Sequence, residues 1–155
     1  MLARRRTARQ AAPAGAGRRC LLFRVAGGEY AVDVRALRRV VALAPGARGQ
    51  VHLGEAAYPL LDLRAAFGLA PSGERGALAL AVATPEGRAA LVVDEAIGLG
   101  TLGAAETQPL PRVFDGVERE WFEGLARLGP RLVILLRPEG LLRSRAATPP
   151  GRARA

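Results

Sequence analysis

Cys20-Leu21-Leu22-Phe23-Arg24-Val25-Ala26-Gly27-Gly28-Glu29-Tyr30-Ala31-Val32-Asp33-Val34 reads as a β-hairpin. A run of β-type residues meets the turn formers Gly27-Gly28, and the chain then resumes with Tyr30, Val32 and Val34 on one face. A second hairpin pattern follows at Ala77–Ala83 and Arg88–Val93, around Pro85-Glu86-Gly87. Both end in Val-Asp, at Val32-Asp33 and Val93-Asp94. Either two related β lobes or the general likeness of Val- and Ala-rich hairpins accounts for the echo.

Outward from these hairpins the pattern stays mostly β. Strands are expected at Val51–Leu53, at Tyr58–Leu63, where Pro59 marks a start or an edge, near Ile97–Leu102, and at Arg131–Leu136 after Gly129-Pro130. Asp33 is expected to cap a short helix with Leu37, Val40 and Val41 on one side. Arg64–Phe67 reads as a single turn ended by Gly68, and Pro138–Arg143 as a short helix with Pro at its start. Pro71-Ser72-Gly73 is loop material, and Leu110–Phe122 supports no single assignment. The core is expected to hold Phe23, Val25, Val32, Leu61, Leu63, Val92, Val93, Val133 and Leu135.

The formal charge of +9 is carried by the ends. Residues 1–19 hold six Arg and no acid, residues 143–155 hold four Arg and no acid, and the stretch between has thirteen Arg against fourteen acids. The body therefore has no basic footprint, which disfavours nucleic-acid binding by the domain itself. The ends lack apolar periodicity and are expected to be disordered tails, 1–19 and 144–155, around a domain at 20–143. No apolar segment follows Arg4-Arg5-Arg6 as it would in a secretory leader, and no window approaches ~20 apolar residues, so no membrane insertion and a cytoplasmic location are expected.

The chemical inventory is sparse. His52 and Cys20 are the only histidine and cysteine, Ser72 and Ser144 the only serines, and the chain has no Lys. No nucleophile elbow, Walker loop or metal-ligand spacing is present, so the expectation is a non-enzyme with no cofactor and no metal. Gly98-Leu99-Gly100 with Gly103 only loosely matches a dinucleotide fingerprint and reads as strand-bend glycine.

Laid out in order, five short motifs resemble the CheW-like domain family of chemotaxis adaptors. The hairpin Phe23–Val34 is similar to its opening hairpin. Pro59-Leu60-Leu61-Asp62-Leu63-Arg64 with Phe67-Gly68 resembles its P-v-v-D-L-r…f-G run. Leu91-Val92-Val93-Asp94-Glu95-Ala96, Phe122–Leu128, and Arg131–Leu136 with Glu139-Gly140-Leu141-Leu142 resemble later segments. The resemblance implies a mostly β fold of two intertwined SH3-like five-stranded β-barrel lobes, with a few short helices and a shared apolar seam. It further implies an adaptor joining the cytoplasmic tip of a methyl-accepting chemoreceptor to the regulatory domain of a CheA-type histidine kinase.

On that footing, Leu37, Val41 and Leu53 of the first lobe, with Ile97 and Leu99 of the second-lobe strand after Asp94, are expected to bind partners. The chain departs from the family where Arg39 stands in place of a glutamate and Gly54 in place of an arginine. Arg39 and Glu55 are then candidates for a charge-reversed pair. Two other readings stand beside the adaptor: a regulator in a non-chemotaxis signalling system, and an SH3-like body that holds nucleic acid with its Arg tails.

Overall fold

The computed structural model describes residues 17–70, 77–112, 116 and 118–147. The chain runs β1 (Gly17–Val25), β2 (Gly28–Asp33), β3 (Leu37–Leu43), β4 (Gln50–Leu53), β5 (Ala56–Asp62), α1 (Leu63–Ala66), β6 (Ala77–Thr84), β7 (Gly87–Val93) and β8 (Glu95–Gly103). A 3-10 turn (Ala104–Glu106), β9 (Thr107–Gln108), α2 (Glu118–Trp121), β10 (Phe122–Leu128), β11 (Arg131–Leu136) and α3 (Pro138–Ala147) complete it.

These strands form two curled sheets, in the orders β8-β1-β2-β11-β10-β9 and β3-β6-β7-β5-β4. Apart from the two-residue β9, the sheets share one plan. Each centres on an antiparallel hairpin, β1–β2 or β6–β7, whose second strand pairs in parallel with β11 or β5. The hairpin of each half of the chain is thus flanked by strands from the other half. The Val-Asp echo is the mark of this exchange: Asp33 ends β2, and Asp94 directly follows β7.

Period-two alternation then distributes the core. On β1, Leu21, Phe23 and Val25 face a seam between the sheets, whereas Cys20 and Leu22 fill the first lobe with Ala31, Leu102, Ala126, Val133 and Leu135. On β6 and β7, Leu80, Val82, Ala89, Leu91 and Val93 face the same seam, and Ala79, Ala81 and Ala90 line the second lobe under Tyr58. Strands buried on both faces carry unbroken apolar runs, which is why Ala77–Ala83 and Leu91–Val93 look continuous in sequence. Five of the seven aromatic residues, Phe23, Tyr30, Phe67, Trp121 and Phe122, touch in a chain at one end of the seam and fasten α1 and α2 to it.

Several expectations are corrected. Leu37–Val41 is strand, not helix. Asp33 does cap the Arg35 N–H (2.8 Å), but this closes two successive tight turns, Ala36 N–H to Asp33 O and Leu37 N–H to Val34 O. The β-branched Val40 and Val41 then pair with β6, so cross-strand packing overrides the helical spacing. Phe122–Leu128 is a full strand, β10, made possible by Gly124, where a Cβ would lie 2.5 Å from the Gln108 carbonyl oxygen. Leu61 is half-buried although it packs on the seam cluster, Val92 is half-buried because it alternates to the face of β7 away from the seam, and Leu63 is buried as the first residue of α1, not in a strand. Residues 17–19 belong to β1 and 144–147 to α3, whereas the rest of the expected tails, 1–16 and 148–155, lies outside the described residues.

Candidate protein-docking surface

Residues opposite each other in an antiparallel pair project from the same face, so register assigns faces. Leu99 on β8 faces Leu21 on β1, and Val40 on β3 faces Leu80 on β6. Both therefore point to the seam side, beyond its buried part: Leu99 is 58% exposed and Val40 40%. The strands β3 and β8 are edges of their sheets. Since β8 lies against β6 and β1 against β7, stacking brings β8 to the β3 side of the seam. The two edge strands thus flank one mouth of the seam and present apolar side chains there.

The residues singled out from sequence divide among three places. Their lobes are the reverse of those expected, because strand exchange puts β3 and β4 in the β6–β7 sheet and β8 in the β1–β2 sheet. Leu37 is half-buried against the seam, and Ile97 is half-buried against the Cys20 cluster. Arg39 and Val41 face Ala81 and Ala79 on the opposite face of β3, Arg39 exposed and Val41 half-buried. Leu53 ends β4 and packs on the Tyr58 cluster, and Gly54 and Glu55 are the two turn residues leading into β5. Gly54 takes φ +62°, a Gly-first hairpin turn. The expected Arg39–Glu55 pair is not among the ion pairs of the described residues. Three strands separate β3 from β4 in the sheet, and Glu55 sits in a turn rather than in register. Val40 is not among the residues expected to bind partners; the β3 bulge between Leu37 and Arg39 resets the alternation and leaves it exposed on the seam side with Leu37.

Charge frames this surface. The Arg64 guanidinium forks to the Asp94 carboxylate at 3.0 and 2.7 Å, and the Ala26 N–H donates to the same carboxylate at 2.7 Å. Arg64 beside it holds the Asp94 carboxyl below its usual range. The contact ties α1, the end of β7 and the β1–β2 turn together, and it holds Ala26 at φ 51°, a conformation L-residues seldom adopt. At the corresponding place in the other half, Asp33 accepts from Arg35 and lies near Arg18, which also pairs with Glu123. Burial pushes the Asp33 carboxyl up, but Arg35 and Arg18 outweigh it and the net displacement is downward. There the junction stays open as a cleft of about 520 Å³ lined by Arg18, Asp33, Arg35, Arg38, Glu123 and Glu139. A ladder of alternating charge, Arg131–Glu29–Arg24–Glu95, crosses β11, β2, β1 and β8.

Among the described residues no charged side chain is buried, and no three His, Cys, Asp or Glu groups gather as a metal site. Cys20 is buried, and burial pushes its thiol up to about 11, so at neutral pH it behaves as a small apolar group. His52 is an exposed residue of β4. Gly98, Gly100 and Gly103 lie within β8. No helix among the described residues is long and apolar enough to cross a membrane. What the arrangement offers is surface: exposed apolar side chains on strand edges, set in a frame of paired charge.

The sequence profile of the CheW-like domain matches residues 19–146. The chain belongs to the CheW-like domain family. It is 24% identical over 134 residues to a probable chemotaxis protein CheW of Rhizobium etli, across 80% of this chain and 86% of that protein. Its fold is similar to that of the scaffolding protein TtCheW of Thermoanaerobacter tengcongensis, with a TM-score of 0.65 at 20% identity, across 78% of this chain and 89% of that one. CheW-like domains form a family of scaffolds and adaptors, and the two-lobe β architecture expected from the motifs is the one observed.

Proposed function

We propose that this CheW-like domain is a cytoplasmic adaptor that couples the tip of a chemoreceptor to the regulatory domain of a CheA-type histidine kinase within a signalling array. The observation that carries the reading is the pair of exposed apolar residues, Val40 and Leu99, on the edge strands that flank the seam of a scaffold-family fold. Leu37 borders that surface on the seam side, and Ile97, on the Cys20 side of β8, with Val41, Leu53, Gly54 and Glu55, elsewhere on the second lobe, are further contacts outside it. Exposed apolar side chains that gain burial only on complex formation suit reversible docking.

Arg39 stands exposed where the family resemblance places a glutamate. A surface with that reversed charge repels a partner built for an acidic one, which favours a dedicated kinase or receptor and leaves room for an output other than motility. Titration calorimetry of the full chain against the kinase regulatory domain and against a receptor-tip fragment from the same genome tests the reading. Saturable binding to both is expected, and the absence of binding to either would refute it.

A further inference from the structure

The two sheets expose four edges, and three of them are guarded. β9 has two residues and β4 four, too short to template another strand, and β3 carries Arg38, Arg39 and a bulge. β8 differs. It is nine residues long, and its only charge is Glu95 at the start. Its bulge lies at its N-terminal end, where register with β1 shifts between Leu22 and Phe23 and Gly98 takes φ +149°, so Leu99–Gly103 is the regular strand. Among the described residues only β1 pairs with β8, and on its other edge the one partner is the Glu106 carboxylate, which accepts from the Gly103 N–H at the strand's end.

The regular part is also self-complementary. Written antiparallel against itself about Gly100, it opposes Leu99 to Thr101 and Gly100 to Gly100. No like charges meet. On the exposed face each copy's Leu99 would cover the other's Thr101.

We propose that β8 is a self-association edge, through which two copies of this chain pair antiparallel about a two-fold axis and continue the six-stranded sheet from one molecule into the other. The pairing is isologous and closes on itself, so it yields a dimer and not a filament. It does not depend on the adaptor reading. Where both hold, dimer and docked partner compete for Leu99.

The test uses the full chain. Sedimentation velocity across a hundredfold range of concentration should show a monomer–dimer equilibrium. Leu99→Lys and Thr101→Lys, each guarding the edge with a charge, should each weaken dimerisation at least tenfold while the melting temperature stays within a degree or two. Two variants are made because either one alone could perturb the strand. Mixing Leu99→Cys with Thr101→Cys under mild oxidation should give a covalent dimer, and the buried Cys20 does not compete. Leu132→Cys, 53% exposed on β11, is the control for random collision and should not cross-link. A chain that remains monomeric throughout, a dimer that survives both lysine variants, or equal cross-linking by Leu132→Cys would overturn the proposal.

Discussion

Replacing Leu99 separates docking from folding more cleanly than any other change on the proposed surface. Complete burial of a leucine side chain contributes about 1.5–3 kcal/mol. Since 58% of Leu99 is still exposed in the free domain, covering the remainder contributes about 0.9–1.7 kcal/mol to a complex, or roughly 4- to 16-fold in Kd. Leu99→Ala should forfeit most of this. Leu99→Asp should cost about tenfold more, because a carboxylate must then lose its water against an apolar partner. Thermal stability should change little, as surface substitutions away from the core usually stay within about 0.5 kcal/mol. Leu37→Asp and Ile97→Asp are poorer probes: both side chains pack on core clusters, so lost binding would be entangled with lost stability. Calorimetry with the kinase regulatory domain and the receptor tip, alongside a melting curve, reads both quantities. Wild-type affinity for both partners in a folded Leu99→Asp protein would show that the β8 edge takes no part in docking.

Three further outcomes concern the frame that holds this surface. Gly140→Ala normally favours a helix by about 1 kcal/mol, but here the added methyl would run into the Glu120 carbonyl oxygen of α2, so a net loss of about 1–3 kcal/mol is expected in urea denaturation. The Asp94 carboxyl lies below its usual range when folded, so its contribution is complete above the unfolded pKa and disappears as pH falls through the lower folded value. Asp94→Asn should therefore be less stable than wild type at pH 7, with the gap closing below about pH 4 as the wild-type carboxylate takes up its proton. Finally, Cys20 should react with a thiol reagent at pH 8 at least a hundredfold more slowly in the native chain than in urea, and fast native labelling would contradict its burial.

The β character of this chain, its two hairpins and its near-neutral body were all legible in the residues, because alternation, turn glycines and charge are local properties. The same holds for the short helical turn after Asp62, whose side chain accepts the Arg64 N–H, and for the final helix beginning at Pro138. Non-local competition decided the rest. Leu37–Val41 satisfies a helical spacing and a strand composition equally well, and only the neighbouring β6 chose between them. β10 depends on the carbonyl of Gln108 approaching Gly124, a contact between residues sixteen apart that no local pattern announces. Which apolar residues would be left outside was likewise undecidable from hydrophobicity. Leu21 and Leu99 are the same residue type on paired strands, but the first is covered by the opposite sheet and the second lies at its margin, so the one is core and the other is available to a partner.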